Sequence, residues 1–212
     1  MATYHLPSTP HSQAISEWVE ALRAADAGGS QVVLTAPVPP MVASAQVDDF
    51  KAAFWEFDSA DALDAFDYLE GRTWMAFSPD LQHLALMHRT LAGPVLLWID
   101  GQPIAPPLAQ GRPVHFELDT AWLHGQVFAT HVGLPYHHPW ARDQLAKGVL
   151  VHVEGIFFYD AVRRCGQLAL PQDDQAWTAP IARAVGDRIL VYATKEDRRQ
   201  GRVGWVSDPL VL

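Results

Sequence analysis

One cysteine in 212 residues, Cys165, removes two classes of site at once. An intrachain disulfide needs a second thiol, and a cysteine-rich zinc centre needs several. A lone cysteine reads as a small buried apolar residue. Long apolar runs are missing too: nothing approaches the roughly 20 residues that cross a bilayer. The leading "MATYHLPSTPHSQAISEW" has neither the basic flank nor the apolar stretch of a secretory signal. These absences lead to the expectation of a cytoplasmic chain with no membrane association. Also lacking are a Gly-x-Ser-x-Gly elbow, a phosphate-cradling glycine loop ending in Lys-Ser or Lys-Thr, and a Gly-x-Gly-x-x-Gly turn. No catalytic role and no cofactor are therefore expected.

Histidine is the one metal-ligating residue type in supply. His131, His137 and His138 fall in "THVGLPYHHPW", with His152 on a nearby strand. A zinc centre needs three placed ligands with supporting partners, and no two histidines stand four apart as on one helix face, so no metal is expected. In "VHFELD" the side chains of His115, Glu117 and Asp119 alternate onto one strand face. That row suits acid–base or metal chemistry, and equally the polar outer face of a sheet, which is the preferred reading.

The net charge of −9 is unevenly placed. Residues 1–110 hold 4 Lys+Arg against 13 Asp+Glu, whereas residues 111–212 hold 11 of each. The first half repels phosphate, while the neutral second half gathers bases at Arg163 and Arg164, at Arg183 and Arg188, and in "KEDRRQGR" at 195–202.

Ile15, Trp18, Val19 and Leu22 at helical spacing predict a helix over 12–27, stopped by Gly28 and Gly29. "QVVLTAPVP", "AAFWEF" and "RTWMAFS" predict strands, with a short acidic helix after Ser59. "PDLQHLALMHRTLAG" carries Pro79 near a helix start and an apolar stripe from Leu81 to Leu91, which predicts a second helix. The segment 101–113, with four prolines, predicts a domain boundary at 110/111. Beyond it, "HGQVFATHVG", "VLVHVEGIFFYDAV", "CGQLAL", "RILVYAT" and "RVGWVSD" predict strands, with a short helix in "HPWARDQLAKG".

"LAGPVLLWIDG" (91–101) and "LAKGVLVHVEG" (145–155) share five of eleven positions, which suggests an internal duplication. The motif "QLAKGVLVHVEGIFF", with Val132–Gly133 before it, resembles the signature of bacterial single-stranded DNA-binding proteins. The first half offers a fainter copy in Trp74–Phe77, Leu91–Gly93 and Ile99–Gly101. The resemblance implies OB barrels, here two in tandem. The fold expectation is a mainly β chain with short helices (α+β): an acidic OB-like domain behind an N-terminal helix in 1–110, and a charge-neutral OB-like barrel or half-barrel in 111–212. The chain ends in "SDPLVL" where family members carry an acidic tip, which puts recruitment of a DNA-metabolism partner through such a tip in doubt.

The function expected from this resemblance is sequence-independent binding of single-stranded DNA in replication, recombination or repair. Flat aromatic faces would stack bases and cations would follow the backbone. The expected surface comprises Trp122, Trp140, Arg142, Lys147, Phe157, Tyr159, Arg163 and Arg164. It needs a bulge at Gly155 that keeps Ile156 and Phe158 in the core and turns Phe157, Tyr159 and Arg163 outward. Without the bulge, Phe157 and Tyr159 belong to the core. Trp55, Trp74 and Trp98, set among carboxylates, read as packing or protein-contact residues. A homodimer is the expected assembly, because open strand edges pair. The competing reading is a non-enzymatic interaction module whose acidic first half docks a basic partner or imitates the charge of DNA.

Overall fold

The computed structural model describes residues 12–27, 41, 43–61, 72–109, 111–123, 125–134, 146–147, 154–171, 175–186, 188–197 and 202–210. The described chain is mainly β, with short helices and small antiparallel sheets, an α+β arrangement. It divides into two compact units, Met1–Ala105 and Pro106–Leu212, parted inside the proline-rich 101–113 segment. Among the described residues, no helix is long and apolar enough to cross a membrane.

The first unit holds α1 (Ser12–Asp26), α2 (Ser44–Asp61) and the strands β1 (Thr73–Phe77), β2 (Leu84–Arg89), β3 (Val95–Ile99) and β4 (Gln102–Ile104). The strands pair in chain order as an antiparallel meander. Ile15, Trp18, Val19 and Leu22 bury one stripe of α1, as their spacing predicts. Val47, Phe50 and Phe54 recur three and four apart on α2 and meet that stripe over Met75, Leu84, Leu86 and Trp98 of the sheet. Each of the large side chains buried here contributes roughly 1.5–3 kcal/mol of apolar transfer.

Two predicted elements change type. "AAFWEF" lies inside α2, because Phe50 and Phe54 prolong a helical stripe that begins at Val47, and Ser59 is interior to that helix rather than at its start. The stretch read as a helix from Pro79 is a turn followed by β2, in which Leu84 through His88 are all buried. A strand covered on both faces carries a continuous apolar run, and such a run matches a helical stripe as readily as a strand. The predicted strand "QVVLTAPVP" lies outside the described residues.

Asp26, at the end of α1, ties that helix to the sheet. Its side chain is 3% exposed and receives Arg72 Nη2 on both oxygens, at 2.9 and 3.0 Å. The Leu91 amide donates to Oδ1 at 2.7 Å, and His88 Nε2 stands 3.3 Å from Oδ2. His88, fully buried on β2, has Nδ1 2.9 Å from Thr73 Oγ1 on the paired residue of β1. Burial raises the carboxyl's proton affinity; the Leu91 amide, the Arg72 guanidinium and His88 outweigh it and hold Asp26 below its ordinary 3.8.

The second unit holds a short pair, β5 (Leu108–Ala109) and β6 (Arg112–Pro113), then β7 (His115–Leu123), β8 (Val127–Gly133), β9 (Glu154–Asp160), β10 (Cys165–Ala169), β11 (Gln175–Val185), β12 (Arg188–Asp197) and β13 (Arg202–Leu210). One sheet has the order β10-β9-β8-β7 and another β11-β12-β13. Leu123, Val127, Ala129, Ile156, Phe158 and Ala169 of the first sheet join Trp177, Ala182, Ile189 and Val191 of the second in one core. Both sheets are antiparallel meanders, and no described pairing closes either one into a barrel.

Two irregularities break this regularity. Between Phe116 and Thr120 of β7, three residues stand opposite His131 alone on β8. Between Thr178 and Ile181 of β11, one extra residue is accommodated at Pro180, which has no N–H to give to the ladder.

At the one end of the proposed duplication that is described in both copies, the two are placed differently. Asp100 and Gly101 form the turn between β3 and β4 with φ of 50° and 77°. Their counterparts Glu154 and Gly155 open β9, where they pair with Gly133 and Val132. The body of the second copy, 148–153, lies outside the described residues.

Candidate nucleic-acid interface

Cross-strand partners share a face of a sheet, so register defines what stands together. Trp122 pairs with Phe128, Phe128 with Tyr159, and Tyr159 with Gly166, a row running across β7, β8, β9 and β10. The next row is Thr120, Thr130, Phe157 and Leu168. This face is turned away from the Ile156–Phe158 core. Trp122 and Tyr159 are half-buried, and Phe128 between them is fully buried. Trp122 meets Phe128 edge-on at 5.3 Å. Two strand spacings, about 10 Å, separate the two half-exposed rings.

The expected bulge at Gly155 is absent: β8 and β9 stay in continuous register from Glu154 to Asp160. Phe157 nonetheless lies on the face opposite Ile156 and Phe158, because Ile156 already occupies the core side and plain alternation does the rest. It is not an exposed ledge. At 3% exposure its ring is enclosed by Phe116 at 5.6 Å and Tyr159 at 6.4 Å, and it lies over Gly166, where a Cβ would come within 2.5 Å of it. Gly155 answers a different need: a Cβ there would meet the Ala169 carbonyl oxygen at 2.8 Å and Leu170 at 2.9 Å.

The row ends beside the tight turn joining β9 to β10. Asp160 builds that turn by accepting the amides of Val162 at 3.0 Å and Arg163 at 2.8 Å, and Arg164 adopts the left-handed φ of 53° that closes it. Arg163 is 68% exposed, 3.7 Å from Asp160, and Arg164 is exposed beside it. Lys147 is exposed on its own short turn. Trp140 and Arg142, and with them His137, His138 and His152, lie outside the described residues. Of the predicted surface, the structure therefore brings Trp122, Tyr159, Arg163 and Arg164 to one end of one sheet, and puts Phe157 beneath them.

On the opposite face of the same sheet lies a cavity of about 250 Å³ between the two irregular stretches, lined by Asp119 and His131 among others and by Arg183 of β11. Of these residues the sequence drew attention to His131, Asp119 and Arg183, in other settings. The even alternation assumed for "VHFELD" hid the irregularity that places Asp119 and His131 together. Comparison of the chain with protein-family models, with curated proteins and with solved structures finds no match.

Proposed function

We propose that the second unit binds single-stranded DNA without regard to sequence, through the face carrying Trp122 and Tyr159 and the arginine turn beside it. The observation that carries this reading is the row Trp122–Phe128–Tyr159 ending next to Arg163 and Arg164. Stacking on an aromatic ring is worth about 1–3 kcal/mol per base whichever base it is, and a cationic rim holds the phosphates. Phe157 acts from below, as packing that fixes the ring of Tyr159.

Oligo(dT) titrated into the full chain is expected to quench tryptophan fluorescence to saturation. Trp122→Ala and Tyr159→Ala are each expected to weaken binding about tenfold, within the range of one lost stack. A flat titration at low salt overturns the reading. That result would favour the interaction module instead, for which the specific observation is the pair of exposed carboxylates Asp48 and Asp49 on α2 of the acidic first unit.

A further inference from the structure

We propose that the cavity between β7 and β11 binds a small zwitterion, an amine and a carboxylate on a short aliphatic frame, the chemistry of a free branched-chain amino acid. Its two walls carry opposite charge. On one wall the irregularity in β7 holds Asp119 against His131, whose Nδ1 is 3.7 Å from the Asp119 carboxylate and 3.9 Å from that of Glu154. On the other, the irregularity in β11 presents Arg183, one of whose N–H groups donates to the Ala182 carbonyl at 3.1 Å, leaving the rest of its donor fork for a carboxylate among the described residues. Between the charged ends the lining is aliphatic: Ile156, Ile181 and Ala182.

Size and polarity narrow the occupant. At about 250 Å³ the cavity sits just below the roughly 300–1,000 Å³ of drug-sized ligand sites, a size that fits a small metabolite. An anion alone would face Asp119, and a cation alone would face Arg183. A ligand carrying both charges, separated by a short apolar body, meets neither repulsion. Paired bulges aimed at one space are a common means of directing side chains into a site.

The test uses the full ¹⁵N-labelled chain and three probes: L-leucine, L-leucinamide with the ammonium only, and 4-methylpentanoate with the carboxylate only. Leucine is expected to shift the amide resonances of Thr120, His131 and Ala182 saturably, with both single-charge probes about tenfold weaker or more. Arg183→Ala should reduce leucine to the level of leucinamide while leaving leucinamide unchanged, and Asp119→Asn should do the converse for 4-methylpentanoate. Both positions are exposed, so folding is not at stake. Absence of saturable shifts up to about 10 mM leucine, or equal binding of the three probes, overturns the proposal. The oligo(dT) titration reads the opposite face of the sheet, so either reading can fail without the other.

Discussion

At the scale of a residue, Asp26 shows how a buried charge fixes a fold. Its carboxylate serves the Arg72 guanidinium, the Leu91 amide and His88 together, so replacing it takes one partner from each of three groups at once, Arg72 keeping the Arg89 carbonyl. Asp26→Ala is expected to cost about 3 kcal/mol, the low end for stripping one partner from a buried pair, because Arg72 keeps partial access to water. Chemical denaturation checks the magnitude. The pH dependence has a definite sign. A carboxyl whose folded value lies below its ordinary 3.8 adds stability that is complete above that value and is lost as pH falls through the lower, folded one. Wild-type protein is therefore expected to lose stability below about pH 4 more steeply than Asp26→Asn, and parallel acid profiles for the two would contradict the assignment.

At the scale of an element, a face that meets water made the type easiest to read. The α1 stripe, β1 and β10 follow their predicted types as half-buried elements that advertise their period, and β8, β12 and β13 follow theirs as well. Strand β2 was misread for the opposite reason: "LALMH" is buried on both faces and carries no period to read. In α2 the rings of Phe54 and Trp55 imitate a strand, and only the reach back to Val47 and Phe50 exposes the helix. The aromatic face of β9 came out on the correct side through plain alternation. The exposure of Phe157 did not, since enclosure by Phe116 of β7 is a tertiary fact with no local signal.

The irregularity in β7 was likewise invisible, and one hydroxyl secures it. Thr130 Oγ1, fully buried, donates to the Glu117 carbonyl at 2.7 Å inside the widened stretch. Thr130→Val keeps the shape and removes the donor that the Glu117 carbonyl receives. We expect a loss of about 1–3 kcal/mol, read as a lower urea midpoint at constant m-value. A neutral substitution would mean that the ladder alone holds the three residues opposite His131.

At the scale of the whole molecule, the governing feature is the segregation of charge. All nine units of net negative charge belong to residues 1–105, since 106–110 carry no charged residue, and the second unit balances at zero. A chain of pI near 5.4 is then compatible with holding a polyanion only if the contact is local and short, and that sets a number. Arg163 and Arg164 are the exposed cations of the proposed surface. Neutralising two phosphates of a single strand gives a slope of about −1.4 for log K against log salt, from roughly −0.7 per contact. Arg163→Ala with Arg164→Ala should flatten the slope to about zero, while Tyr159→Ala should lower affinity at every salt concentration and leave the slope unchanged. Slopes that do not separate the two variants in this way would show that stacking and phosphate contact are not divided between the ring and the turn.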